Sequence, residues 1–164
     1  MEQKNIYSFS QIEDKVKALH ETNTEAAAAV ALSWLGLSRD ELKTLRISDY
    51  NSAMRMLHTA GRVVYVREDT IADMLKGICE KAPEYSMGFF ITDVNSAYEA
   101  AEKQGLSPIS VLKMRYFYEK HSAKRSGEPE DRVFLKEILR SIGESEADME
   151  KQFAEYENGA PEKI

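Results

Sequence analysis

Five basic residues lie in one short segment that also contains three consecutive aromatic residues. Between Lys113 and Arg125 there are five positive side chains and one negative side chain, and Tyr116, Phe117 and Tyr118 lie among them. Clustered positive charge binds the phosphates of a nucleic acid. Tyr116 or Tyr118 could reach such a ligand, although at least one of the three rings must pack in the core. The alternative is an ordinary solvated helix face.

Other groupings of residues that do chemistry are missing from the sequence. His20 and His121 have no carboxylate or cysteine at ligand spacing, so we predict no metal site. There is no glycine-rich phosphate loop and no recognisable Ser-His-Asp grouping, and we predict no cofactor. The single cysteine, Cys79, excludes an internal disulfide and is expected to pack half-buried in a helix.

The acidic balance of the whole chain masks its basic segment. The net charge of the 164 residues is −6, which is the wrong sign for a strong non-specific DNA binder. The imbalance is concentrated at the C-terminal end, where residues 144–164 carry seven acidic residues and two lysines. The N-terminal residues have no apolar signal core, and the longest apolar run, 26–37, is too short to span a bilayer. A cytoplasmic location is therefore expected.

Hydrophobic periodicity predicts a mostly helical fold with a small antiparallel hairpin or three-stranded sheet. Ser10 and Thr24 are expected to cap the first two helices, and the second helix, apolar nearly all round, should be central and end at Gly36. The other predicted elements are a short helix capped by Ser38, strands over 53–59 and 62–67, a helix capped by Asp69 or Thr70, a strand or buried turn over 88–91, and helices over 94–104, about 110–122, 132–143 and 145–156. We predict one domain over 1–156 and a flexible acidic tail over 157–164.

The segment WLGLSRDELKTLRISDYN, residues 34–51, resembles the signature of the phage-integrase, or tyrosine recombinase, family. It has the order of that signature, with a buried helix, a Gly-Leu turn, Glu-Leu-x-x-Leu-Arg and a turn containing Asp before a hairpin. Leu106-Ser107-Pro108 followed by Leu112-Lys113 resembles the segment that carries the family's His-x-x-Arg, and residues 132–143 resemble the helix that ends in Leu-Gly-His. The resemblance runs from about residue 8 to residue 156. It implies the catalytic-core fold of the DNA breaking-rejoining enzymes.

The resemblance also implies that the cleavage residues have been replaced. In that family a tyrosine attacks the scissile phosphate, while two arginines, a histidine and a hairpin lysine stabilise it. Here Arg39 is next to the position of the first arginine, but one helical step turns a side chain by about 100°. The residues at the family's positions are Ser38 for the first arginine, His58 near the lysine, Ile109 or Ser110 and then Lys113 for His-x-x-Arg, Glu144 for the histidine after the glycine, and Phe153 for the tyrosine. Structural explanations stand beside these: Ser38 is a helix cap, His58 a surface residue and Phe153 a core residue.

The resemblance therefore implies a catalytically inactive, integrase-like DNA-binding or regulatory protein of phage or mobile-element origin. Enzymatic activity is left open, with the replaced residues weighing against it. One alternative is a protein-interaction or self-association module that uses the acidic C-terminal helix, and another is an active recombinase whose nucleophile is Tyr156. The predicted contacts to weakly bound duplex DNA are Arg39, Arg46, Arg62, Lys113, Arg115, Lys120, Lys124 and Arg125.

Overall fold

The computed structural model describes residues 8–59, 61–82, 88–127, 129 and 131–157, except for the side chains of residues 124, 125, 156 and 157. The helices are α1 (Glu13–Thr22), α2 (Thr24–Trp34), α3 (Arg39–Thr44), α4 (Asp69–Lys81), α5 (Val94–Lys103), α6 (Pro108–Ser126), α7 (Arg132–Ile142) and α8 (Glu146–Glu157). Strands β1 (Tyr50–Asn51), β2 (Met56–Thr59) and β3 (Arg62–Tyr65) form an antiparallel sheet in the order β1-β2-β3. The predicted fold class, mostly helical with a small antiparallel sheet, is confirmed.

Helix α2 is the centre of the larger hydrophobic core. Every residue from Ala26 to Trp34 is buried, and the helix packs against α1, α5 and α6. The helix begins where the Asn23 side chain accepts a hydrogen bond from the Ala26 amide at 3.0 Å. Its many alanines have no side chain beyond Cβ, so three helices can approach it closely. This confirms the prediction of a buried central helix.

A second hydrophobic cluster joins α6, α7 and α8. Phe117 of α6 packs against Phe153 of α8 with ring centroids 5.9 Å apart, and Met149 is completely buried beside them. Ile109 and Tyr118 contact both this cluster and the larger core, so α6 connects the two. The C-terminal helix is thereby held against α6 by apolar contacts.

Several predicted boundaries are wrong for local reasons. Ser10 does not cap α1, whose N-cap is Ile12; the Ser10 hydroxyl instead lies 2.6 Å from that of Ser8. Asn23 replaces Thr24 as the cap of α2. Glu68 rather than Asp69 or Thr70 precedes α4, because the Thr70 hydroxyl donates to Glu13 at 2.7 Å.

The hairpin and α6 also differ from their predicted lengths. Strand β2 begins only at Met56, because residues 52–55 form a turn in which Arg55 has a φ of 53°. Ala60, predicted to form the hairpin turn with Gly61, lies outside the described residues. Helix α6 continues through the predicted loop to Ser126 and ends at Gly127, whose φ of 74° is a helix-terminating conformation.

Of the predicted tail over 157–164, residue 157 ends α8 and the others lie outside the described residues. Across the described part of the chain, none of the helices combines the length and the apolar composition that a membrane span requires.

Candidate functional site

Ser38 is the N-cap of α3 and forms the predicted capping box with Glu41. The Ser38 hydroxyl accepts a hydrogen bond from the Glu41 amide at 3.1 Å, and the Glu41 carboxylate accepts one from the Ser38 amide at 3.0 Å. The resemblance assigns this residue to the family's first arginine, but the Ser38 hydroxyl is used within its own helix. It brings no positive charge to the turn.

Glu41 also binds a cation from the sheet. Arg62 Nη2 of β3 lies 2.9 Å and 3.0 Å from the two Glu41 oxygens and 3.2 Å from the Gly36 carbonyl oxygen. The Thr59 hydroxyl, opposite Arg62 in the hairpin, donates to Glu41 at 3.2 Å. The Glu41 carboxylate therefore neutralises the charge of Arg62, close to the turn that leads into α3.

His58 lies on the other face of the hairpin. Leu57 and Thr59 are buried, whereas His58 between them is exposed, as the alternation of a strand requires. Its cross-strand partner is Val63, which is exposed as well. The side chain near the family's lysine position therefore points away from the face on which Glu41 and Arg62 meet.

Lys113 and Glu144, two of the positions that the resemblance singles out, are in direct contact. Lys113 Nζ of α6 lies 3.0 Å from Glu144 Oε1, in the turn after α7, and both side chains are about three-quarters buried. The second Glu144 oxygen accepts a hydrogen bond from Gln152 of α8 at 2.7 Å. Ser110 lies one helical turn before Lys113, in the first turn of α6. Three separate elements therefore meet at Glu144.

Phe153, at the position of the family's nucleophile, follows Gln152 on α8. Its ring is buried against Phe117, so the position has neither a hydroxyl nor an exposed surface. This agrees with the prediction that Met149 and Phe153 are core residues. Tyr156 belongs to α8, but its side chain lies outside the described set.

Two more of the predicted DNA contacts form ion pairs within the chain. Arg115 Nη2 lies 2.6 Å from Glu119, and its Nη1 donates to the Trp34 carbonyl oxygen at 3.0 Å. Lys120 Nζ of α6 lies 2.5 Å from Glu150 of α8. Lys113, Arg115 and Lys120, the cations of α6 whose side chains the structure describes, therefore each have a carboxylate partner.

Arg39 and Arg46 each contact an aromatic ring. Arg39 lies over the Tyr98 ring at 4.7 Å and donates to Asn95, on the α5 side of α3. Arg46 lies 4.7 Å from the centroid of Phe89. Burial raises the pKa of the Tyr98 hydroxyl, although the charge of Arg39 acts in the opposite direction. The structure thus places Arg39 away from α6 and α8, as the helical rotation predicted.

The three aromatic residues of α6 are buried or half-buried, and two further basic residues of that helix have side chains outside the described set. Tyr116 is 1% exposed and Phe117 is 3% exposed, so the suggestion that Tyr116 could reach DNA is wrong. Tyr118 is half-buried and packs edge-on against Trp34. Lys124 and Arg125 are in α6, but their side chains lie outside the described set.

Sequence reasoning missed the carboxylates that bind these cations. Glu119 follows Arg115 by four residues, so helical spacing alone could have identified that pair. Glu41, Glu144 and Glu150 pair with residues of other elements, and only the tertiary fold brings them together. Within the described residues, four of the predicted DNA contacts are therefore paired with carboxylates of the same chain.

The similarity of this chain to known proteins lies in its fold. No protein-family model matches the chain, and no curated protein sequence matches it. Its fold is that of a recombinase catalytic domain, as the resemblance predicted. The solved structure that shows this is titled a crystal structure of XerA recombinase; the match has a TM-score of 0.56 and 15% sequence identity, and covers 99% of this chain and 66% of that one. The chain thus spans about two thirds of that recombinase.

Proposed function

We propose that this chain is a non-catalytic domain of recombinase fold, which acts by binding duplex DNA weakly rather than by cutting it. The observation that carries the proposal is the 3.0 Å contact between Lys113 and Glu144. Phosphoryl transfer needs positive charge that is free to stabilise the phosphate in the transition state. A carboxylate beside Lys113 neutralises that charge and would repel the phosphate oxygens.

The residues around Ser38 support the same proposal. Ser38 is uncharged, and the nearby Arg62 is bound to Glu41 through two short contacts. Removal of one donor to a transition-state oxyanion costs about 3–4 kcal/mol, or a factor of 10² to 10³ in rate. Loss of the cations on both sides of the site would therefore abolish measurable cleavage.

The position of the nucleophile points the same way. Phe153 cannot form a covalent bond with phosphorus, and its ring is packed against Phe117. Tyr156 is three residues further along α8. That distance is about 4.5 Å along the helix axis, so Tyr156 could replace the missing hydroxyl only if α8 moved by nearly one turn.

Weak DNA binding is the activity left to such a domain. Arg62, Lys113, Arg115 and Lys120 have carboxylate partners within the chain, and a phosphate would have to displace those partners. Arg39 and Arg46 contact aromatic rings and could also bind a phosphate. With two to four phosphate contacts, the logarithm of the binding constant should fall with the logarithm of salt concentration with a slope of about −2 to −4.

The alternative of a protein-interaction module built on α8 has less support. Met149 and Phe153, the apolar residues of that helix, are buried against α6 of the same chain. Lys120–Glu150 adds an ion pair between the two helices. The helix therefore offers a partner its acidic outer face but not its apolar face. The regulatory role and the origin in a phage or mobile element stay predictions.

Fluorescence anisotropy with a labelled non-specific DNA duplex tests the binding. Affinity in the micromolar range or weaker, which falls steeply between about 50 and 200 mM salt, is the expected result. Absence of binding at the lowest salt concentration would leave the domain without its proposed ligand.

A nicked suicide substrate tests the absence of cleavage. Wild-type protein and the Tyr156→Phe variant should both fail to form a covalent protein–DNA adduct on a denaturing gel. An adduct that forms with the wild type and disappears in Tyr156→Phe would establish an active recombinase and refute the proposal.

A further inference from the structure

A groove of about 550 Å³ runs beside β3 and is separate from the contact between Lys113 and Glu144. All four residues of β3, Arg62 to Tyr65, line it. Side chains of consecutive strand residues point to opposite faces of a sheet. A groove that touches all four therefore borders the edge of the strand rather than one of its faces.

The hydrogen-bonding pattern shows which backbone groups face this edge. The Val66 amide donates to the Arg55 carbonyl oxygen at 2.9 Å, so Val66 turns its backbone toward the preceding strand. In an antiparallel ladder, successive residues direct their backbone amide and carbonyl alternately toward and away from the neighbouring strand. The backbone groups of Val64 therefore also point toward β2, and those of Val63 and Tyr65 point away from it. Among the described residues, β3 is the last strand of the sheet. The amides and carbonyls of Val63 and Tyr65 are thus available to a further strand.

The opposite wall limits what can lie in the groove. It consists of the later part of α6, including Tyr118 and Ala123, and the beginning of α7, including Val133 and Phe134. Neighbouring strands lie about 4.8 Å apart, and a strand of four residues is about 13 Å long. A single extended chain at this spacing from β3 would lie between the strand edge and the two helices.

Exposed apolar side chains line part of the groove, and among its described lining residues the positive and negative charges are nearly equal in number. Val63 is 43% exposed, Tyr65 60% and Val133 75%. The lining carries three arginines and four carboxylates, and two of those arginines, Arg62 and Arg115, are already ion-paired. A polyanion such as DNA would gain little from this surface. A peptide of low net charge with apolar side chains at alternate positions fits it.

We propose that this groove binds one extended protein segment of low net charge, which adds to the sheet as a strand beside β3. The outward amides and carbonyls of Val63 and Tyr65 supply main-chain hydrogen bonds, as in other cases of strand addition. The exposed Val63, Tyr65 and Val133 side chains supply apolar contacts to alternate residues of the segment. This activity requires neither DNA binding nor cleavage.

Two capped peptides serve as probes in the test. One has the sequence Lys-Thr-Val-Thr-Val-Thr-Glu, which has no net charge and alternates apolar and polar residues; in the other a proline replaces the central threonine. Titration of isotope-labelled full-length protein should shift the amide resonances of Val63 and Tyr65 in a saturable way, and more than that of Val64. The proline peptide should bind at least tenfold more weakly, because it lacks a main-chain donor.

Matched variants separate the groove from the rest of the surface. Val133→Glu should weaken binding of the alternating peptide at least tenfold, whereas Met54→Glu, at a residue that is 64% exposed and does not line the groove, should leave it within twofold. Both positions are exposed, so both variants should fold, and Tyr65→Pro supplies a second test because it removes an outward-facing amide.

Four outcomes would overturn the proposal. The first is the absence of saturable shifts of the Val63 and Tyr65 amides when the peptide is added, and the second is equal peptide binding by the Val133→Glu and Met54→Glu variants. The third is that duplex DNA shifts these amides and the peptide does not. The fourth is that the amides shift with protein concentration when no peptide is present. The last two would assign the groove to nucleic acid or to a second copy of the chain. Shifts caused by duplex DNA would support the salt-dependent DNA binding proposed above, and the other three outcomes leave that binding unaffected.

Discussion

Lys113 Nζ lies 3.0 Å from Glu144 Oε1, although the two residues are far apart in the sequence. The contact joins the first half of α6 to the turn between α7 and α8, and Gln152 binds the other oxygen of the same carboxylate. Lys113, which the resemblance assigns to an arginine position, thus has an internal anion as its partner. The following predictions test the consequences of this contact and of three other features.

Replacement of the Glu144 carboxylate should release Lys113 for phosphate. We expect Glu144→Gln to raise the affinity for duplex DNA several-fold at low salt, because it removes a competing anion and one negative charge. Glu155→Gln, on the exposed side of α8, makes the same change of charge away from Lys113 and should raise affinity less. The measurement is fluorescence anisotropy of a labelled duplex. Equal gains in both variants would mean that only net charge matters.

Glu41 should contribute strongly to the stability of the fold. Its carboxylate binds the Ser38 amide, Arg62 and Thr59, and Glu41→Ala would leave the Arg62 guanidinium partly buried without its anion. We expect a loss of about 2–3 kcal/mol in the free energy of unfolding, measured by urea denaturation. Glu137→Ala, which breaks an ion pair with the exposed Arg140, should cost about 0.5 kcal/mol or less. Similar losses in the two variants would contradict this.

Gly36 should tolerate no side chain. Its φ is +93°, and a Cβ at this position would lie 2.5 Å from Phe134 Cε1. Gly36→Ala therefore combines backbone strain with a displacement of α7 and should cost at least about 2 kcal/mol. Gly127→Ala is the control, because its φ of +74° imposes similar strain while nothing lies near the new methyl group. Thermal unfolding of the two variants should differ clearly, and equal melting temperatures would refute the close packing of Phe134.

Cys79 should react slowly with alkylating reagents in the folded protein. Burial, and to a lesser extent the charge of Glu80, raises the pKa of this thiol, so less thiolate is present at about pH 8 than in an unfolded chain. A group that holds its proton more tightly in the fold contributes stability below the ordinary pKa of a thiol, and that contribution is lost as pH rises through the folded-state pKa. Iodoacetamide labelling followed by mass spectrometry, with urea-unfolded protein as control, measures the effect. Equal rates in both states would contradict it.

The sequence predicted those features that depend on neighbours along the chain. The capping box of Ser38 and Glu41, the buried α2 and the glycine that ends α7 each follow from residues within a few positions of one another. The cap of α4 was wrong because Thr70 binds Glu13 of a distant helix. A tertiary contact of this kind leaves no local pattern.

Two of the positions that the resemblance singled out are in contact, but the ion pairs of the predicted DNA contacts were not foreseen. Residue spacing led to Lys113 and Glu144, and the structure brings these two together. The same spacing gave no sign that Arg62 binds Glu41 or that Lys120 binds Glu150, because the partners come from other elements. Their role as DNA contacts stays a prediction.

The partnership of Glu144 with α6 and α8 also governs how the chain could change over time. Arginine at position 113 would form a forked, two-point bond with Glu144, so this single substitution would strengthen the ion pair instead of freeing a cation. Only a simultaneous change at both positions exposes a guanidinium. Positions 113 and 144 are therefore expected to change together rather than one at a time.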